Sequence, residues 1–65
     1  VKRFYRVDLG EDSRLGLPSR READAFARSL LTRRGEGRAA RVSLVTMDDY
    51  DNEIEAVEVG AWAAR

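Results

Sequence analysis

A chain of 65 residues with no cysteine and no histidine has neither disulfides nor thiolate or imidazole metal sites, so its stability must come from a thin core or from a second copy of itself. Its 43% hydrophobic and 37% charged residues suit a folded domain rather than a disordered tail, and no run approaches the roughly 18 apolar residues of a membrane span. The net charge of zero conceals a division: residues 1 to 41 carry plus five and the remainder minus five, which argues for a charged partner or for neutralisation within the fold.

Lys2 to Leu9 alternates, with Tyr5, Val7 and Leu9 on one side and Phe4, Arg6 and Asp8 on the other, the period of a half-buried strand. Gly10 ends it. The following stretch to Pro18 contains two glycines and the proline, and it reads as a turn-rich connection that Leu15 and Leu17 pin to the core. Ser19-Arg-Arg-Glu22 fits a capping box, so a helix is expected from Arg20. Its apolar stripe is Ala23, Phe26, Ala27, Leu30 and Leu31, with an Asp24/Arg28 pair one turn apart on the other face. Arg33 and Arg34 suit the negative end of the helix dipole, and Gly35 suits the left-handed position just past the end.

After a flexible connector, Arg41 to Met47 is β-branched enough to predict a second strand. Met47 to Glu53 is a polar loop. Ile54 to Val59 reads as a third strand, with a bulge expected near Ala56 and Val57 where the alternation slips; a helix opened by Asn52 and Glu55 is the alternative. Trp62 is expected to fold back onto the core.

The expected fold is therefore α+β: a single small βαββ domain spanning 1–65, with a three-stranded sheet and one helix packed on one face. A crossover through the helix makes the first two strands parallel, and the hairpin makes the third antiparallel to the second. Opposite-charge cross-strand pairs contribute about 0.2–1 kcal/mol each, so the basic first strand and acidic third strand suggest the order 1-3-2, with the third strand central. Phe4, Val45, Met47 and Ile54 are candidates for an apolar patch on the face without the helix, where a partner or a second copy would dock.

Catalysis finds little support. Ser13, Ser19, Ser29 and Ser43 are explained as turn, cap, helix-surface and strand residues, and none has a histidine to activate it, so no enzyme activity and no cofactor are expected. The loop Asp48-Asp-Tyr-Asp-Asn-Glu53 is dense in oxygen ligands, but counting from Asp49 an EF-hand would need Gly and Glu where Ile54 and Gly60 stand, so no metal site is assigned. Tyr50 on that acidic tip suggests a partner contact instead, making Asp48, Asp49, Tyr50, Asp51 and Glu53 the candidate partner-binding residues. Arg20 and Arg21 stand at the positive end of the helix dipole, and with Arg14 they form a candidate anion or nucleic-acid site.

Tyr5-Arg-Val-Asp-Leu together with Pro18-Ser-Arg-Arg-Glu-Ala-Asp-Ala-Phe-Ala27 is similar in style to the arm-type DNA-binding domains of phage integrases, where a sheet precedes a helix opening on Ser/Thr-Lys/Arg-x-Glu-Ala. Those domains place three strands before the helix, where one is read here, and no function is carried over. The sequence thus favours a small protein-interaction module or regulatory accessory protein, cytoplasmic, with a protein partner or a homodimer and no membrane contact. Two alternatives stand beside it: a nucleic-acid binder using the helix start and basic first strand, and a phage-type inhibitor whose acidic hairpin mimics nucleic acid.

Overall fold

The computed structural model describes residues 1–34 and 39–63. In chain order the elements are β1 (Lys2–Leu9), β2 (Asp12–Leu17), α1 (Arg20–Arg34), β3 (Ala39–Met47) and β4 (Glu53–Ala63). The strands form one antiparallel sheet in the order β2-β1-β3-β4, with α1 against one face. The α+β class is as expected. The strand count and order are not.

The difference begins at Gly10. Leu9 pairs directly with Asp12, leaving Gly10 and Glu11 as a two-residue hairpin loop, and Gly10 takes a φ of 58°. Glycine at the first central position of such a loop gives the backbone a twist that matches the flanking strands. The chain then returns along β1 instead of wandering to the helix, so the segment read as a connection is a strand. Its register skips Gly16, between the pairs Tyr5/Leu17 and Arg6/Leu15, at a φ of 97° open to glycine.

This extra reversal overturns the predicted topology. β1 and β3 are adjacent and antiparallel, from Lys2 opposite Met47 to Asp8 opposite Arg41, so the order 1-3-2 with an acidic central strand is wrong. The helix crossover does join two strands running the same way, but they are β2 and β3, one on each side of β1. Cross-strand charge pairs worth a fraction of a kcal/mol could not outweigh the connectivity set by a tight hairpin.

β3 and β4 form the second hairpin, and here too the irregularities lie elsewhere than expected. Ala56 and Val57 pair regularly with Val45 and Leu44. The extra residues are Val59, between the pairs Val42/Gly60 and Ser43/Glu58, and Ile54, between Thr46/Glu55 and Met47/Glu53. Residues 54–59 are strand, not helix.

The core lies between α1 and the centre of the sheet. Val7, Leu9, Ala40 and Val42 face Ala23 and Ala27 of the helix, all fully buried, with Tyr5, Leu17, Phe26, Leu30, Leu31, Val59 and Trp62 around them. The predicted helix stripe is the one that packs. Two alanines at the centre let α1 sit close to the sheet, at the cost of a core with few large side chains. The helix opens with the Ser19 hydroxyl accepting from the Glu22 amide at 3.1 Å, half of the predicted capping box. Gly35, the expected C-terminal residue of the cap, and the connector to Arg38 lie outside the described residues.

The face away from the helix is not the open apolar patch that was expected. Its central rows are polar: Arg6 beside Ser43 and Glu58, Asp8 beside Arg41. Val45 is on this face yet fully buried and Phe4 and Met47 are half-buried, while Ile54, the extra residue of β4, is well exposed. Phe4 pairs directly with Val45, and Arg6 crosses the same face. Its guanidinium donates to Asp8 at 3.1 Å and to Glu53 at 2.8 Å, and the path from β1 to Glu53 on β4 runs across Val45 on the strand between.

Candidate interaction surface

The position of α1 divides the sheet into a covered half and an overhang. Gly60 lies under the Arg20 guanidinium, where a Cβ would collide with it, and Trp62 meets Asp24 one turn further along the helix. The helix therefore starts over the Val42/Gly60 row and runs toward the Ala40/Trp62 end. β2 also stops level with Tyr5. Beyond that row, the start of β1, the end of β3 and the start of β4 continue without helix or fourth strand, in a molecule 38 × 21 × 16 Å.

The covered half is locked by a cluster on the β4 flank of the helix. Asp24 Oδ1 accepts from the Trp62 indole at 3.0 Å and from Arg20 Nε at 3.1 Å, and Arg28 stacks 5.3 Å from the centre of the Trp62 ring. The indole hydrogen bond, helped by Arg20 and by the charge of Arg28, holds the Asp24 carboxyl below the usual carboxylate range against the opposing effect of burial. The expected Asp24/Arg28 pair is thus replaced by Arg20/Asp24, with Arg28 turned to the indole. A tryptophan near the chain end gave no sign in the sequence of which helix residue it would meet.

The three candidate anion-binding arginines do not converge. Arg20 is engaged with Asp24 on the β4 flank, whereas Arg14 lies 5.3 Å over the Phe26 ring on the β2 flank. Arg21 is exposed, with no carboxylate partner among the described residues. Beside Arg14 is a shallow groove of about 510 Å³ between β2 and α1, lined by Asp12, Ser13, Arg14, Leu15, Phe26 and Leu30.

The acidic loop makes surface contacts within its own hairpin and with β1. Asp48 Oδ1 accepts from the amides of Tyr50 and Asn52, both at 2.9 Å, which fixes the turn and holds the Asp48 carboxyl below its ordinary range. Asp51 supplies the left-handed residue of the turn, at φ 62°. Asp49 faces the Val1 α-amino group at 3.3 Å, Asp51 faces Lys2 at 3.2 Å and Glu53 takes Arg6. The basic and acidic segments do meet, as their charges suggested, but through the loop curling over the start of β1 rather than through neighbouring strands. Among the described residues no carboxylates gather into a metal-ligating group.

The Tyr50 side chain, unlike its amide, has no such tie among the described residues. It is 85% exposed at the hairpin tip, and the other large apolar side chains exposed on the same hairpin are Ile54 at 61% and Val57 at 47%. The outer edge of β4, missed in the sequence because this strand was expected at the centre of the sheet, runs alongside them. From Glu53 to Glu58 every residue is exposed.

Among the described residues no helix is long and apolar enough to cross a membrane. No protein-family model matches the chain, and neither a curated protein nor a solved structure is detectably similar to it.

Proposed function

We propose that the protein is a small non-enzymatic interaction module whose contact surface is the β3–β4 overhang. One observation carries the reading: Tyr50 at the tip and Ile54 and Val57 along β4 are large apolar side chains left exposed on one hairpin. A small domain short of apolar side chains has reason to bury such residues, and leaving them on a protruding hairpin costs stability unless something covers them. The carboxylates beside them support a local reading rather than nucleic-acid mimicry. Asp48 holds the turn while Asp51 and Glu53 are paired, so the tip offers an aromatic and its apolar flank rather than a row of free charges.

The test is a photo-crosslinking amino acid placed at Tyr50 and, as a control, at Ala25 on the exposed side of the helix. A discrete crosslinked protein from position 50 and none from position 25 is the expected result. Equal labelling from both positions, or none from position 50, would remove the hairpin from consideration.

A further inference from the structure

The outer edge of β4 has the properties of a strand-addition site, and its side chains specify what should add. We infer that Glu55 to Glu58 accepts a short extended segment of another protein with the pattern basic-apolar-apolar-basic; this rests on the overhang being the contact surface.

Between the extra residues Ile54 and Val59, β4 has one regular stretch, in which Glu55, Ala56, Val57 and Glu58 pair in unbroken register with Thr46, Val45, Leu44 and Ser43. Among the described residues no strand pairs with its other side, and alternate backbone groups along it have no ladder partner there. All four residues are exposed. Successive side chains point to opposite faces, so a docked strand would meet Glu55 and Val57 on the helix side, and Ala56 and Glu58 on the other. An incoming segment therefore needs cations opposite Glu55 and Glu58, with two apolar residues between them opposite Ala56 and Val57. The pattern reads the same in both directions and does not depend on strand polarity.

Charge also selects against the other occupants. From Glu53 to Ala63, β4 contains three glutamates and no base, so two copies joined edge to edge would bring six carboxylates together with only the neighbouring Arg6 and Arg41 of each copy to offset them and no base on either edge strand. The remaining edge, β2, offers a second copy only Arg14 beside Asp12. Glu58 is held only loosely by Arg41, at 3.7 Å between two exposed side chains, and is available to a better partner. The register shifts that bound the stretch limit what it can pair with to about four to six residues, short enough to keep the edge from templating larger assemblies.

The experiment is a titration of the isotopically labelled chain with the capped peptide Thr-Lys-Val-Val-Lys-Thr, read by amide NMR. Saturable shifts confined to β4 and the facing residues of β3 are expected. The permuted peptide Thr-Val-Lys-Lys-Val-Thr has the same charge and composition, and a peptide N-methylated at alternate residues loses the ladder; both should bind at least about tenfold more weakly. Glu55→Lys/Glu58→Lys should lose the interaction by a similar factor, with Glu55→Gln/Glu58→Gln as the milder variant if the double reversal unfolds the chain. Equal binding of the permuted or N-methylated peptide would reduce the effect to bulk attraction and overturn the proposal. So would no saturable shift, shifts centred on β2, or a doubled molar mass with the β4 edge already protected. Crosslinking from Tyr50 without peptide pairing would leave the overhang as the contact surface and reject only the strand addition.

Discussion

The indole nitrogen of Trp62 lies 3.0 Å from Asp24 Oδ1, tying the last strand to the first half of the helix. That oxygen also receives Arg20, and the three residues hold the far edge of the sheet under α1. Asp24→Ala should cost about 1–3 kcal/mol, because it leaves the indole donor and the Arg20 guanidinium without their acceptor. Denaturant unfolding followed by Trp62 emission measures it. The pH dependence has a definite sign. Since the folded carboxyl titrates below its unfolded value, its contribution is complete above the ordinary carboxylate range and disappears as pH falls through the lower folded value. The Asp24→Ala variant should therefore lose less stability than the parent between neutral pH and strong acid.

Arg6 gives a second test, of cover rather than charge. Arg6→Ala should cost about 1 kcal/mol or more by exposing Val45, whereas Arg6→Met keeps an apolar stem over Val45 and should recover at least half the loss despite breaking both ion pairs. If the two variants are equally unstable, the ion pairs rather than the covering stem matter.

Gly16 separates strain from space. A Cβ built there meets nothing within 4 Å, so contacts alone predict a harmless Gly16→Ala. Its φ of 97° predicts otherwise, and the substitution should destabilise by about 1–2 kcal/mol. Gly60→Ala is the reverse case. The backbone allows alanine but the Arg20 guanidinium is in the way, and because it is the end of a flexible side chain it can move aside. A change within about 1 kcal/mol is expected, and it should vanish in an Arg20→Ala background.

The hairpin tip should respond to acid through Asp48. Its carboxylate accepts both turn amides, so the Tyr50 and Asn52 amide resonances should move with a single midpoint below the ordinary carboxylate range. In Asp48→Ala that titration should be absent, and the two amides should exchange faster with solvent.

The helix was readable in the sequence because three signals agreed at residues 19–31: a cap, an amphipathic stripe and a length of several turns. β1 was readable for its clean alternation. β2 was not, since Asp12-Ser-Arg-Leu-Gly-Leu17 is polar, glycine-bearing and on an edge, and Gly10-Glu11 is less conspicuous as a hairpin loop than Asn-Gly or Asp-Gly. Missing that one reversal inverted the direction of β1 relative to everything after it. The acidic loop was located correctly, but its pairing with β1 was invisible, because that depends on β1 starting beside it. Arg14 and Arg20 look like neighbours in sequence and stand on opposite flanks of one helix.

The tight turn at Gly10 also shapes how the chain can assemble itself. Both β1–β2 and β3–β4 are hairpins closed by short loops, and each can pair as soon as its own residues are free. One seam is different: β1 must find β3 across the whole length of the helix. Closing that seam brings the two halves of the chain, each already folded back on itself, under a common helix. This topology predicts that the slow step of folding is the docking of two hairpin ribbons, not the growth of a sheet strand by strand.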